Sequence, residues 1–194
     1  MKVVAFNGSP RKDGNCTLLI KKVFEELEDN GIKTELIHLA GSKIHGCRAC
    51  YGCFQKKNKQ CCFQDDEVNS WISKMVEADG IILASPTYFA DVTPEMKALI
   101  DRAGFVCRAN GNLLVRKTGA AIVSVRRAGE IHALDTLNHF FLCQSMFLVG
   151  SSYWNIGVGR EKGEVEKDEE GLKTMRMLGQ NLAWLLKRLS GCYQ

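Results

Sequence analysis

Lys2-Val3-Val4-Ala5-Phe6-Asn7-Gly8-Ser9-Pro10-Arg11-Lys12-Asp13-Gly14-Asn15-Cys16-Thr17 decides how the rest of the chain is read. Residues 2–6 are a short apolar run of β character that stops at Asn7-Gly8-Ser9-Pro10. A helical pattern follows, with Leu18, Leu19, Val23, Phe24 and Leu27 on one face. The stretch from Gly8 to Thr17 therefore joins the carboxyl end of a strand to the start of a helix. In an open α/β sheet that junction is a preferred place for a ligand. Small residues let the backbone approach an anion, and the helix start offers unpaired N–H groups. Ser9, Asn15 and Thr17 add short polar groups, and Arg11 adds a planar fork suited to phosphate. The turn lacks the Gly-Lys-Ser/Thr ending of a P-loop and the Gly-x-Gly-x-x-Gly dinucleotide fingerprint. A polar turn with an ordinary helix cap has the same composition.

Working outward, the first helix stops at Asn30-Gly31, and residues 32–39 read as a second strand. Asp65 and Asp66 are placed to cap a helix running to about Ala78. Gly80 to Ser85 is a continuous apolar strand, as expected where both faces of a sheet are covered. Thr93-Pro94 fits an N-cap followed by proline at the first helical position, with Met96, Leu99 and Ile100 facing inward. Residues 120–125 form a fourth strand; Ile131, Leu134, Asn138 and Phe141 mark the helix after Gly129. Ser145 to Gly150 reads as a fifth strand. Leu172, Met175, Leu178, Leu182, Leu185 and Leu189 give a closing amphipathic helix from Lys167 onward. Strands alternating with helices predict an α/β fold with a parallel sheet wrapped on both sides. We expect a single domain over residues 1–194, with a cysteine-rich insertion at about 43–64 and a long loop at 151–166.

The 194 residues suffice for one sizeable core, and 45% hydrophobic with 25% charged residues is ordinary for a globular chain. A net charge of +4 is too modest to point to nucleic acid. The apolar run at the N-terminus is too short for a signal peptide, and no stretch is long enough to cross a membrane. The expected location is the cytoplasm. There the nine cysteines stay reduced rather than forming a disulfide framework. Cys16, Cys107, Cys143 and Cys192 are scattered and read as small core residues. Cys47, Cys50, Cys53, Cys61 and Cys62 are packed into one short segment.

Gly8-Ser9-Pro10-Arg11 with Gly14-Asn15-Cys16-Thr17 resembles the phosphate loop of the NADPH-dependent FMN reductase family. Ser85-Pro86-Thr87-Tyr88-Phe89, followed by Thr93-Pro94-Glu95-Met96-Lys97, resembles that family's second flavin loop. The two motifs stand in the right order, and the likeness runs from the first strand to the last helix. It implies a flavodoxin-like three-layer sandwich, a five-stranded parallel sheet of order 2-1-3-4-5. It also implies that Ser9, Arg11, Asn15, Cys16 and Thr17 hold the FMN phosphate, while Pro86, Thr87, Tyr88 and Phe89 line the isoalloxazine. Ser124-Val125-Arg126-Arg127-Ala128-Gly129 leaves the fourth strand toward the same edge. There Arg126 or Arg127 would stabilise a reduced, anionic flavin, or form a solvated surface pair, with Gly129 as permissive backbone.

The spacing Cys47-x2-Cys50-x2-Cys53-x7-Cys61 suits a thiolate-bound iron–sulfur cluster or zinc. It departs from the bacterial ferredoxin run, whose last spacing is three and which ends in proline. It is similar to the compact motif of the iron–sulfur flavoproteins, a branch of the same reductase group carrying FMN and a [4Fe–4S] cluster. The resemblance makes Cys47, Cys50, Cys53 and Cys61 the ligands and Cys62 an ordinary thiol. Free thiols in a cluster-free reductase, and structural zinc, remain as alternatives. Lys43, Arg48, Lys56, Lys57 and Lys59, with no acidic residue between Lys43 and Gln60, favour thiolates and could steer an acidic electron carrier.

The expected function is that of an FMN-dependent oxidoreductase passing electrons between a [4Fe–4S] cluster and FMN. Alternatives are a cluster-free NAD(P)H-dependent FMN or quinone reductase, and a non-enzymatic electron carrier. Partners would be a ferredoxin-like donor, or NAD(P)H as a transient one, and further copies of the chain as homodimer or homotetramer. No nucleic-acid or membrane partner is expected. The flavin carries the chemistry, so no catalytic acid or base is assigned. Gly157-x-Gly159 lacks the rest of a nucleotide fingerprint, and Tyr153-Trp154 could wall the flavin, form a subunit contact or simply pack.

Overall fold

The computed structural model describes residues 1–191; Cys192 lies outside them. Its sheet begins with β1 (Lys2–Asn7) and β2 (Lys33–His38), joined through α1 (Asn15–Asp29). β3 (Gly80–Pro86), α4 (Pro94–Ala109), β4 (Thr118–Val125) and α5 (Glu130–Cys143) continue the alternation. The short α2 (Gly52–Lys56) and α3 (Val68–Glu77) fill the β2–β3 connection. β5 (Phe147–Leu148), β6 (Ile156–Val158), a 3-10 turn (Glu164–Lys167) and α6 (Glu169–Gly191) complete the described chain. All pairings are parallel in the order β2-β1-β3-β4-β5, with β6 also on β4.

Burial on both faces explains the uninterrupted apolar strands. Val4, Phe6, Ile81, Leu83, Ala121 and Val123 face the core shared with α3, α4 and α5. Their neighbours Val3, Ala5, Ile82, Ala84, Ala120 and Ile122 face α1 and α6. This period-two division fixes the register, because a one-residue slip would exchange the two sets. The expected flavodoxin-like sheet of order 2-1-3-4-5 is the observed one.

The flank beyond β4 departs from expectation. Only Phe147 and Leu148 of the predicted 145–150 strand pair with β4, opposite Thr118 and Gly119. The chain leaves the sheet around Gly150-Ser151-Ser152, residues without strand preference, and returns as β6 opposite Val123–Val125. One edge is thus covered by two short pieces, and the region read as a long loop supplies the second. The charged stretch from Glu161 to Glu170, which begins within that long loop, contains the 3-10 turn, whose Val165 is buried, and leads into α6. On α5, Ile131 is exposed, and Ala133, Leu134, Leu137, Phe140 and Phe141 form the buried side. Cys16 and Cys107 are buried as expected, but Cys143 is exposed.

Helix starts follow the sequence more closely. Thr93 caps α4, its Oγ1 accepting from Met96 N at 3.4 Å and donating to Gly8 O at 2.9 Å. One hydroxyl therefore caps a helix and ties it to the first loop. Asp66 accepts from Val68 N at 3.2 Å at the head of α3. Its other role, below, was not visible in the sequence.

Candidate flavin and cysteine sites

The strands β1, β3 and β4 deliver three loops to one edge of the sheet. Ser9, Pro10, Arg11 and Asn15 from the first, Pro86, Thr87 and Tyr88 from the second, and Ser124, Val125 and Arg126 from the third line one cleft of about 170 Å³. Gly159 and Arg160, just beyond β6, close its side.

The first loop is internally braced. Asn7 Oδ1 accepts from Ser9 N at 2.9 Å, and Asn7 Nδ2 donates to Thr17 Oγ1 at 2.9 Å. The Thr17 hydroxyl in turn donates to Lys12 O, so both its roles are taken within the loop. Ser9 Oγ accepts from Arg11 N at 3.2 Å. Cys16 Sγ lies 3.0 Å from Ser124 Oγ, linking the first loop to β4. Burial pushes the Cys16 thiol up to about 11, so it stays neutral and serves as packing rather than as a nucleophile. Asn15 reaches across the cleft: Nδ2 donates to Gly159 O and Glu161 O, each at 3.0 Å, and Oδ1 accepts from Gly163 N at 2.9 Å.

With those side chains engaged, the backbone carries the anion-binding capacity. Gly14 caps α1 without any side-chain hydrogen bond, and the first turn holds no acidic residue. Among the described residues, the N–H groups of Lys12, Asp13, Asn15 and Cys16 meet no acceptor. Four such donors around a helix start form a ready cradle for a phosphate. Arg11 stays exposed at its rim.

The second loop turns sharply: Tyr88 N donates to Asp91 O at 2.7 Å, and Asp91 N to Tyr88 O at 3.0 Å. Phe89 and Ala90, at φ 47° and 63°, occupy the left-handed region at the tip. Non-glycine residues reach it at a cost of about 1–2 kcal/mol each. Phe89 is fully exposed there and Tyr88 about half so, while Thr87 N donates to Ser124 O at 2.9 Å. Thr87 Oγ1 is buried without a partner, an unsatisfied polar atom on a residue that lines the cleft. Gly129, at φ 91°, packs against this hairpin; a Cβ there would lie 2.9 Å from Ala90 Cα. Arg126 and Arg127 are exposed, and Arg126 borders the cleft.

The cradle of free N–H groups, the unpaired Thr87 hydroxyl and the cleft bordered by Tyr88 and Arg126 fit a phosphate-bearing aromatic cofactor. Gly159 and Arg160 were missed because their loop reads as irregular. Asn15 was the available signal, since a buried amide needs partners from somewhere. Tyr153 and Trp154 line a separate depression with Leu134, Leu148 and Asn155, and do not wall this cleft.

The cysteine segment lies against the middle of α4. Cys47, Cys50, Cys53, Cys61 and Cys62 line one small cavity with Arg48, Tyr51, Phe63, Arg102, Phe105 and Val106. Ala49, Tyr51, Lys57 and Lys59 all take positive φ, between 47° and 61°. This costly backbone is what turns closely spaced thiols toward a common space. Cys61 is pinned by Asn69, whose Oδ1 accepts from Cys61 N at 2.7 Å and whose Nδ2 donates to Cys61 O at 3.1 Å. Cys62 also faces the cavity and packs so tightly on Gly52 that a Cβ there would sit 2.0 Å from its sulfur. Burial raises the Cys53 thiol, and its neighbours Cys61 and Cys50 raise it further. Among the described residues, no three His, Cys, Asp or Glu side chains gather closely enough for a single ion. The five cysteines line one cavity of about 20 Å³, and clustered thiolate donors of this kind suit iron–sulfur chemistry.

Arg102 and Asp66, both with fully buried side chains, form an ion pair beside this cavity, with Arg102 Nη2 3.1 Å from Asp66 Oδ1. Burial opposes the Arg102 charge, but Asp66 and Cys61 together outweigh it and the guanidinium pKa stands above its ordinary value. The Cys61 sulfur adds to that pull without accepting a well-aligned hydrogen bond. Arg48 stacks 4.4 Å from the Phe63 ring centroid.

A parallel sheet of this order with a phosphate cradle at its switch point defines a flavodoxin-like flavoprotein. The model of the NADPH-dependent FMN reductase family matches residues 1–161. An iron–sulfur flavoprotein of Methanocaldococcus jannaschii is 37% identical, over 96% of this chain and 98% of its own length. One from Methanosarcina thermophila is 29% identical over 96% of each chain. The solved structure of RosB, with a bound 8-demethyl-8-formylriboflavin-5'-phosphate intermediate, superposes with a TM-score of 0.78 at 20% identity. That superposition covers 98% of this chain and 81% of RosB, and shows the shared fold. The chain belongs to the NADPH-dependent FMN reductase family, in its iron–sulfur flavoprotein branch, and is a flavin-dependent oxidoreductase.

Proposed function

We propose that the protein moves electrons between a [4Fe–4S] cluster held by Cys47, Cys50, Cys53 and Cys61 and an FMN seated in the cleft at the sheet edge. The observation that carries this is the convergence of these thiols on one cavity, in a chain whose phosphate cradle is separately formed. FMN, when bound, supplies an electron acceptor that works in one- or two-electron steps. The chain's own contributions are positional. Backbone N–H groups of Lys12, Asp13, Asn15 and Cys16 hold the phosphate, Thr87 and the Tyr88–Asp91 turn border the ring, and Arg126 supplies positive charge at its edge. Arg11 and Arg160 guard the mouth.

Arg102 is nine residues beyond the α4 cap at Thr93, roughly 13 Å along the helix. The two sites of one chain thus lie at different levels of α4, and we read a dimer or tetramer as the arrangement that brings cluster and flavin of different subunits together. The exposed Tyr51, Phe54 and Phe105, mutually about 6 Å apart, together with the exposed lysines of the same segment, suit an acidic, ferredoxin-like donor. Among the described residues all eight cysteines are unpaired. No helix of the described residues is long and apolar enough to cross a membrane.

Iron and acid-labile sulfide assays with an absorption spectrum of anaerobically purified protein test the proposal. Flavin bands above a broad iron–sulfur shoulder are expected, and Cys50→Ser should remove the shoulder while FMN stays bound. Flavin bands alone, with rapid NAD(P)H oxidation and no iron, would establish the cluster-free reductase instead.

A further inference from the structure

We propose that Arg102 is a positioning residue for the cysteine site, closing its loop and donating its remaining N–H to a sulfur of the bound cluster. The inference rests on the cluster reading above and adds a residue to it.

A guanidinium has five N–H donors in a fixed plane. Arg102 Nη1 donates to His45 O at 3.3 Å and to Asp66 Oδ2; Nη2 donates to Phe63 O at 3.3 Å and to Asp66 Oδ1 at 3.1 Å. His45 lies just before Cys47, and Phe63 just after Cys62. A side chain rooted on α4, outside the segment, therefore ties both ends of the cysteine loop to the body of the protein. Lysine could not do this, because a point charge lacks the planar fork. The fifth donor, Nε–H, is buried with no acceptor among the described residues, and the side chain lines the cavity that the cysteines surround. An orphaned, charge-assisted donor in such a place calls for an acceptor. Cluster sulfur is the acceptor that the surrounding thiols would bring. A hydrogen bond to it favours the reduced, more negative cluster and raises its potential. Because Asp66 balances the Arg102 charge, the effect comes from the directed N–H rather than from net charge.

The test begins with wild-type protein shown to contain iron; a chain without it removes the cluster reading itself, a failure recognised before any substitution. In protein grown with [15N]arginine and carrying Arg48→Lys to remove the other nearby guanidinium, pulsed EPR of the reduced cluster should show a coupled arginine nitrogen. Its absence overturns the proposal. Arg102→Lys, and the charge-balanced pair Arg102→Gln with Asp66→Asn, should keep FMN and lower the cluster's midpoint potential. At the wild-type midpoint the reduced-to-oxidised ratio should fall about tenfold, equivalent to about 59 mV for a one-electron couple. An unchanged midpoint in a variant that retains its cluster also overturns the proposal, since a merely structural arginine would leave the potential alone. Where neither variant holds a cluster, the spectrum of the labelled Arg48→Lys protein, with Arg102 intact, decides.

Discussion

Asn15 stands at the first position of α1, yet its amide is wholly engaged with the segment from Gly159 to Gly163 on the far wall of the cleft. The side chain holds the wall in place, leaving the backbone N–H free for the proposed phosphate site. Truncation removes three hydrogen bonds at a buried position and should cost about 2 kcal/mol, or roughly 4–8 °C in Tm for a domain of this size. Asn15→Ala should therefore melt earlier by calorimetry and release FMN more readily in equilibrium dialysis. A Tm unchanged to within a degree would refute the bracing role. His38 offers a second test at this scale. Its Nδ1 lies 3.4 Å from Asn7 Nδ2, a donor, so the neutral ring fits. Burial, then the charge of Lys12, lowers the His38 pKa from its ordinary 6.5. With the folded pKa depressed, the unfolded chain takes up the proton first as pH drops below 6.5. Stability should then be highest above that pH and fall as acid is added toward the lower folded pKa. His38→Gln should flatten this part of the Tm–pH curve. Equal slopes in both proteins would show that other groups govern it. At residue level the sequence was read well where chemistry is local, as with the Thr93 cap. It was silent where a partner lies far along the chain, as for Asn15 with Gly159 and Arg102 with Asp66, because spacing encodes neighbours and not packing.

Elements show the same division. β1, β3, β4 and their helices were legible because apolar runs and helical periodicity are strong when both sheet faces are buried. β5 was placed but drawn too long, and β6 was not seen, since a two-residue and a three-residue strand carry no period, and their pairing is set by the free flank of β4. The Tyr88–Asp91 turn belongs to this scale too. It is fixed by its own two hydrogen bonds and by contact with Gly129 at the start of α5. Gly129 sits at φ 91°, and a Cβ there would press on Ala90 Cα at 2.9 Å. Gly129→Val should cost about 1–2 kcal/mol for the left-handed backbone alone. It should also push the turn from its seat and weaken FMN binding beyond what the stability loss explains. Flavin fluorescence titration beside thermal melts separates the two effects; loss of stability with full FMN affinity would show that the turn does not shape the flavin site.

Across the whole molecule, charge is distributed in a way that the +4 total conceals. Lys43, Arg48, Lys56, Lys57 and Lys59 are all exposed on the cysteine-bearing segment, which also carries Tyr51 and Phe54 of the aromatic cluster with Phe105. An apolar centre with a charged rim is how a surface combines close contact with long-range steering. For an acidic iron–sulfur carrier, encounter should be fast at low ionic strength and slow as salt shortens the Debye length toward about 8 Å at physiological concentration. The triple variant Lys56→Glu, Lys57→Glu and Lys59→Glu should reduce the second-order rate of reduction by such a carrier about tenfold or more at low salt. The gap should narrow as salt is added, because rim charges act mainly on association. Reduction by NADPH, approaching the flavin cleft instead, should respond much less to the same substitutions. Stopped-flow traces with reduced ferredoxin and with NADPH, over a range of salt, distinguish these routes. If the triple variant accepts electrons from ferredoxin at the wild-type rate at low salt, the cysteine face is not where that carrier docks. Selective loss with ferredoxin but not with NADPH would mean that the two sites on α4 serve as separate doors to one redox chain.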